Sequence, residues 1–232
     1  MKKGDLKKAE LIQTAETLFC RNGYEQTSVQ DILDVLQTSK GSFYHHFPSK
    51  EALLEAMCAQ RASALALEVE GKTSSGGKRV MEKLNICLEG MMPLSGERIN
   101  FLLMILPVFD LPEGWSVKHA YRTSLTQAFL PILSGILEEG HQEGCLFCPH
   151  ASIQAQLTLL LANDLWDTVC DRIIQAEKRR EYLDLSQLLE YLDQSRLAIE
   201  KILSAPYGSI KLFDLPEIKS ISEQIHVHWK TI

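Results

Sequence analysis

The sequence predicts an all-α protein, with short helices first and long ones after. Three observations carry this reading. Apolar residues recur at helical spacing almost throughout, no stretch reads as a strand, and the apolar content is mostly Leu, Ile and Ala with only 7% aromatic residues. A hydrophobic share of 45% beside 23% charged residues is that of a globular chain with ample core. The 232 residues suit one large domain, or a small domain joined to a larger one.

The first helix is signalled by Ile12, Ala15 and Phe19 at i, i+3 and i+7, with Gly23 as its stop. Val29, Ile32, Leu33 and Leu36 mark a second, shorter helix. Thr27 precedes it and Gln30 follows three residues later, the pattern of a capping box. A third short segment runs from about Ser39 to His46. Pro48 then punctuates, and Ser49 is a suitable N-cap for a long helix from near Lys50 through Leu53, Met57, Ala64 and Leu67. Residues 71–77, of sequence GKTSSGG, form the clearest linker. Further helices are predicted at about 78–91, 97–108, 116–140, 151–178 and 184–204, with Pro131 starting a turn or kinking the third of these. The tail beyond 205 is harder to read, and 215–229 suits one more helix.

Charge is unevenly spread. The net charge of −6 argues mildly against a general nucleic-acid binder, but residues 1–50 hold seven Lys and Arg against six Asp and Glu, so the acidity lies in the remainder. No apolar segment follows the Lys-rich start, and no run approaches 18 apolar residues, so a cytoplasmic protein without membrane contact is expected. Six scattered cysteines read as reduced thiols rather than a disulfide framework. Cys145 and Cys148 have C-x-x-C spacing with His150 nearby, which leaves a redox- or metal-sensing role as an alternative. A zinc site would want a second ligand pair, for which only the distant His226 and His228 offer themselves, and no metal is expected. There is no serine nucleophile elbow, no HExxH and no phosphate-binding glycine loop, so the chain does not read as an enzyme.

A long helix, a short helix, a tight turn, a short helix and another long helix is the order of a helix-turn-helix within a three-helix head. The third helix would be the one offered to the major groove, which is about 12 Å wide and admits one helix. In sequence, residues 16–57 resemble the tetracycline-repressor family of transcription regulators. The likeness is carried by Phe19, Gly23 and Tyr24; by Thr27, Ser28, Val29 and Ile32; by the run from Ser39 to Phe47; and by Ser49, Lys50, Glu51, Ala52 and Leu53. Small residues and a Gly-Val usually stand where this chain has Leu33, Leu36, Gln37 and Thr38, so a left-handed turn at Gln37 costs on the order of 1 kcal/mol.

The resemblance implies DNA contact from Thr27, Ser28, Gln30, Thr38, Ser39, Lys40, Gly41, Ser42, Tyr44, His45, His46 and Lys50. Lys40 reaches a guanine edge or a phosphate, and Gly41 lets the backbone come close. Ser42 can bond a base or sugar, while Tyr44, His45, His46 and Lys50 offer donors to phosphates. Thr27 and Gln30 can equally be mere capping residues. Phe43 and Phe47 are expected to point inward.

The resemblance further implies an effector pocket and a dimer interface in the C-terminal bundle. Domains are accordingly expected at 1–50 for the DNA-binding head and 51–205 for effector binding and dimerisation, with 206–232 an extension of unknown role. Pocket candidates are Met57, Met91, Met92, Phe101, Met104, Phe109, Trp115, Phe129 and Trp166, all of which suit a plain core equally well, together with Asp164 within an apolar stripe. Interface candidates are Leu157, Leu161 and Leu165 on one late helix and Leu188, Leu192 and Ile199 on the other, again with core as the alternative. The expected partners are a palindromic double-stranded operator, a second copy of the chain and an unidentified small-molecule effector, with no cofactor. An interaction protein carrying a vestigial head is the remaining alternative.

Overall fold

The computed structural model describes residues 3–91, 98–112, 114–181 and 183–212. Among these the chain forms nine α-helices and no strand. They are α1 (Lys3–Asn22), α2 (Val29–Leu36), α3 (Lys40–His46), α4 (Lys50–Ser74), α5 (Val80–Met91), α6 (Arg98–Phe109), α7 (Gly114–Gln142), α8 (Ala151–Arg179) and α9 (Leu185–Leu203). Met92, the suggested helix at 215–229, His226 and His228 lie outside the described residues.

The first three helices make the head. Leu11, Ala15 and Phe19 of α1, Ile32 and Leu33 of α2, and Phe43 of α3 are all buried in one apolar core. α4 leaves the head and runs into the body, where it packs along α7 and α5. α7 also packs on α8, and α8 on α9. α6 touches α1 of the head as well as α7 and α8 of the body. Among the described residues no helix is long and apolar enough to cross a membrane.

Two boundaries differ from the sequence reading. The linker at 71–77 is mostly helix, because α4 continues to Ser74. Thr73 is buried there, and its hydroxyl donates to the Val69 carbonyl at 2.9 Å, so this polar residue satisfies itself within the helix. Pro131 neither ends nor begins a helix: α7 passes through it over 29 residues, held by its packing on α4, α5 and α8.

The start of the C-terminal extension is fixed to the body. Asn85 of α5 donates from Nδ2 to the Ser209 carbonyl at 3.0 Å and accepts at Oδ1 from the Lys211 N–H at 2.8 Å. Ile210 and Leu212 are buried, and the Ile210 N–H donates to Glu200 Oε1 at 3.1 Å. Glu200, also buried, is paired with Arg196 at 2.8 Å.

Candidate nucleic-acid interface

The head positions α3 through side-chain caps. Ser28 is the N-cap of α2: its Oγ accepts from the Asp31 N–H at 3.2 Å, and Asp31 accepts in return from the Ser28 N–H at 2.7 Å. The capping box is therefore Ser28 with Asp31, one residue on from the expected Thr27 with Gln30. Thr27 is 0% exposed, with its hydroxyl donating to the Gly23 carbonyl at 2.8 Å. That burial removes its side chain from the DNA-facing set. Gln30 is exposed but donates to Asp34 at 2.7 Å.

α2 ends at Gln37, which takes the left-handed conformation (φ 48°) with its N–H on the Asp34 and Leu33 carbonyls. The turn thus keeps the left-handed residue without glycine. Ser39 then caps α3, accepting from the Ser42 N–H at 3.3 Å. Phe43 and Phe47 point into the core, as their spacing predicts. Lys40, Gly41, Tyr44 and His45 consequently occupy one outward face of α3, with Ser42 and His46 half-buried at its edges. Ser39 is exposed, and Thr38 half-buried, at the turn leading into this face.

Lys50 has a different role from the one expected. Its ammonium donates to the carbonyls of Tyr24 at 3.0 Å and Thr27 at 3.1 Å, and lies 4.1 Å from the Tyr24 ring centroid. It ties the turn between α1 and α2 to the start of α4, so its charge is spent inside the head. Ser49 caps α4, accepting from the Ala52 N–H at 3.1 Å. The sequence reading missed Asp31 and the clamp from Lys50, although Ser28 followed by Asp31 carried the same three-residue signal as Thr27 followed by Gln30.

In the body, most pocket candidates are packed core. Met57, Met91, Phe101, Met104, Phe129 and Trp166 are buried, and Phe109 is partly so. Trp115 is 74% exposed and stacks on His119, so it does not line an interior pocket. Asp164 is exposed and accepts from the Tyr191 hydroxyl, which resolves how this acid is tolerated in an apolar stripe. Met104 does border a cavity, at the junction of head and body.

The interface candidates divide. Leu165, Leu188, Leu192 and Ile199 are buried within the one chain, because α8 and α9 pack their stripes on each other and on the bundle. They are therefore core rather than contact surface. Leu157 is 45% exposed and Leu161 half-buried. Ile153 at 57% and Leu160 at 58% join Leu157 on the outward face of α8.

Cys148 is buried and Cys145 exposed. Desolvation pushes both thiols above their ordinary range, with Glu143 adding to the effect at Cys145 and Cys145 adding at Cys148. Both are thus protonated near neutrality, which is unfavourable for reactive thiols. Among the described residues no three His, Cys, Asp or Glu are grouped so as to hold a metal ion.

Residues 11–57 match the model of the bacterial regulatory proteins of the tetR family. The uncharacterised HTH-type transcriptional regulator YuxN of Bacillus subtilis is 35% identical over 111 residues, 47% of this chain but only 37% of that protein. The HTH-type transcriptional repressor KstR2 of Rhodococcus jostii is 28% identical over 145 residues, covering 60% of this chain and 67% of that one. The crystal structure of a tetR-family transcriptional regulator from Pectobacterium atrosepticum covers 89% of this chain and 100% of its own, with a TM-score of 0.66 at 15% identity, a likeness of fold. Residues 11–57 thus carry the motif of the tetR family, and beyond them the chain is similar to regulators of that family in helix order and fold.

Proposed function

We propose that this protein is a ligand-responsive repressor that binds a palindromic operator as a homodimer. The observation that carries the reading is the outward face of α3: Lys40, Gly41, Tyr44 and His45 stand exposed on a short helix anchored from behind by buried Phe43 and Phe47. Such a face fits the major groove, with Lys40 reaching bases and Tyr44 and His45 reaching phosphates. Ser42 and His46 support it from the edges, and Ser28, Gln30, Thr38 and Ser39 lie on the turn side, where they can approach the backbone of the duplex. Two heads are needed, because a single one buries too little surface for tight binding and half-sites lie a helical turn apart. The exposed Ile153, Leu157 and Leu160 of α8 supply a self-complementary apolar surface for the second copy. An effector would act by favouring one arrangement of the heads, with DNA weakening the effector by the same factor as the effector weakens DNA.

The test is binding of the full-length protein to fragments of its own genome across a salt series. Enrichment of one palindrome, with affinity falling steeply as salt rises, supports the reading. Lys40→Ala should abolish enrichment at unchanged thermal stability. Lys50→Gln should leave the salt slope as it is, since Lys50 is turned inward, whereas loss of a phosphate contact would lower the slope by about 1. Leu160→Glu should yield monomers in sedimentation and lose the palindrome. Uniformly weak binding by the wild-type protein, with or without small molecules from the host, would sink the proposal.

A further inference from the structure

We infer that the cleft between the head and α6 is the binding site for a small amphipathic carboxylic acid, and that its occupancy fixes the angle of the head on the body. The inference rests on the ligand-responsive reading above and gives it a place. The cleft encloses about 660 Å³, within the range of small-molecule sites, which favour domain junctions. One wall is the end of α1 and the turn that follows it, residues 19–26; the other is one side of α6.

The lining is divided by chemistry. Buried Phe19 and Tyr24 on the head, and Met104 with half-buried Leu103 on α6, make an apolar wall. Methionine beside aromatic rings adapts to irregular apolar bodies. The exposed rim carries Arg21 and Asn100. A guanidinium fork matches a carboxylate or a phosphate through two parallel N–H donors. Glu25 also lines the rim, which disfavours a dianion and leaves a monocarboxylic acid with an apolar body.

The cleft also lies where a ligand can influence DNA binding. Its head wall is the turn that Lys50 ties to α4 through the Tyr24 and Thr27 carbonyls. Its body wall, α6, packs on α7 and α8. A molecule bridging these walls binds unequally to different head angles, which is the condition for shifting them.

The test uses the full-length protein and 1-pyrenebutyric acid, a fluorescent monocarboxylic acid, with the neutral 1-pyrenebutanol beside it. Saturable binding at one site per chain is expected, with the alcohol about ten-fold weaker, the cost of a charge-assisted hydrogen bond. Arg21→Gln should erase that preference. Asn100→Trp, at an exposed position that can take bulk without disturbing the core, should remove binding of both probes at an unchanged melting temperature. The acid should also slow alkylation of Cys20, which lines the cleft, by N-ethylmaleimide while leaving that of Cys145 unchanged, both thiols being exposed. No saturable binding, or equal binding by wild type and both variants, overturns the site. Binding as expected with no change in affinity for the enriched palindrome overturns the coupling. If host small molecules release DNA from Asn100→Trp as readily as from wild type, the regulator reading stands and this location is wrong.

Discussion

The short helices α2 and α3 of the head start on side-chain caps, whereas α8 of the body, with 29 residues, starts without one and is held by packing. α2 and α3 have 8 and 7 residues, well below the length at which an isolated helix persists in water. Ser28, Ser39 and Ser49 each accept a backbone N–H three residues on, at the starts of α2, α3 and α4. In the body, α8 starts at His150 with no side-chain cap and holds through 29 residues by burying residues such as Leu159, Trp166 and Ile173. A capped turn demands particular residues at particular places. A packed stripe accepts any apolar set of about the right volume. The family model matches residues 11–57, the part of the chain that holds these caps.

The largest test of this contrast is a pair of core truncations. Phe43→Ala and Phe129→Ala each remove a fully buried ring and should cost about 3–5 kcal/mol in denaturant titrations. Hydrogen exchange should rise in α1–α3 for the first and in α4–α8 for the second. An equal rise everywhere would mean one cooperative unit and would break the comparison.

Next come two glycines with opposite reasons to be small. A Cβ on Gly90 would stand 2.1 Å from Val69 Cγ2, where α5 crosses α4. Gly90→Ala should cost about 1–3 kcal/mol by overpacking. A Cβ on Gly41 meets only Ser39 Oγ, at 3.8 Å. Gly41→Ala should leave the melting temperature alone and, under the function proposed above, weaken operator binding, because the added methyl stands on the outward face of α3.

Smaller effects of opposite sign are expected at the ends of α2. Ser28→Ala should cost about 1 kcal/mol by removing the cap. Gln37→Gly should stabilise by up to about 1 kcal/mol by relieving the left-handed backbone. Both can be read from melting curves.

The smallest is a response to acid. The Asp31 carboxyl is held below its ordinary range by the Ser28 hydroxyl and N–H, and Glu51 chiefly by the Ser49 hydroxyl. Carboxyls lowered by folding stabilise above their unfolded pKa, about 4, and lose that contribution as pH falls through the lowered folded value. In the body, burial raises Asp167 against the pull of Lys118 and Arg122, and raises Glu177. Their charged forms oppose folding above the raised value, and acid relieves that opposition. Protection factors compared at about pH 5 and about pH 3 should therefore fall in the head before they fall in α8. The reverse order would show that the caps contribute little.

The same contrast explains what could be read from sequence. The extent of α3 is read to within a residue because Ser39, Pro48 and Ser49 punctuate it locally. The choice between Thr27 and Ser28 as cap was not legible, since both are hydroxyl residues with a polar partner three positions on. Only the fold shows the Thr27 hydroxyl turned back to Gly23. Lys50 looked like a phosphate ligand because its clamp reaches carbonyls 26 and 23 positions earlier in the chain. For Leu188 and Leu192 the stripe named an apolar face but not what covers it, and the cover is this chain itself.

α4 carries one more consequence. It runs unbroken for 25 residues from the Ser49 cap in the head to Ser74 in the body, a rod about 37 Å long. A rod of that length is a lever. Tilting it by about 5° swings its far end by about 3 Å, close to the 3.4 Å rise of one base pair. A shift at the α5–α7 end too small to disturb the core is therefore magnified to the scale on which a duplex counts its bases.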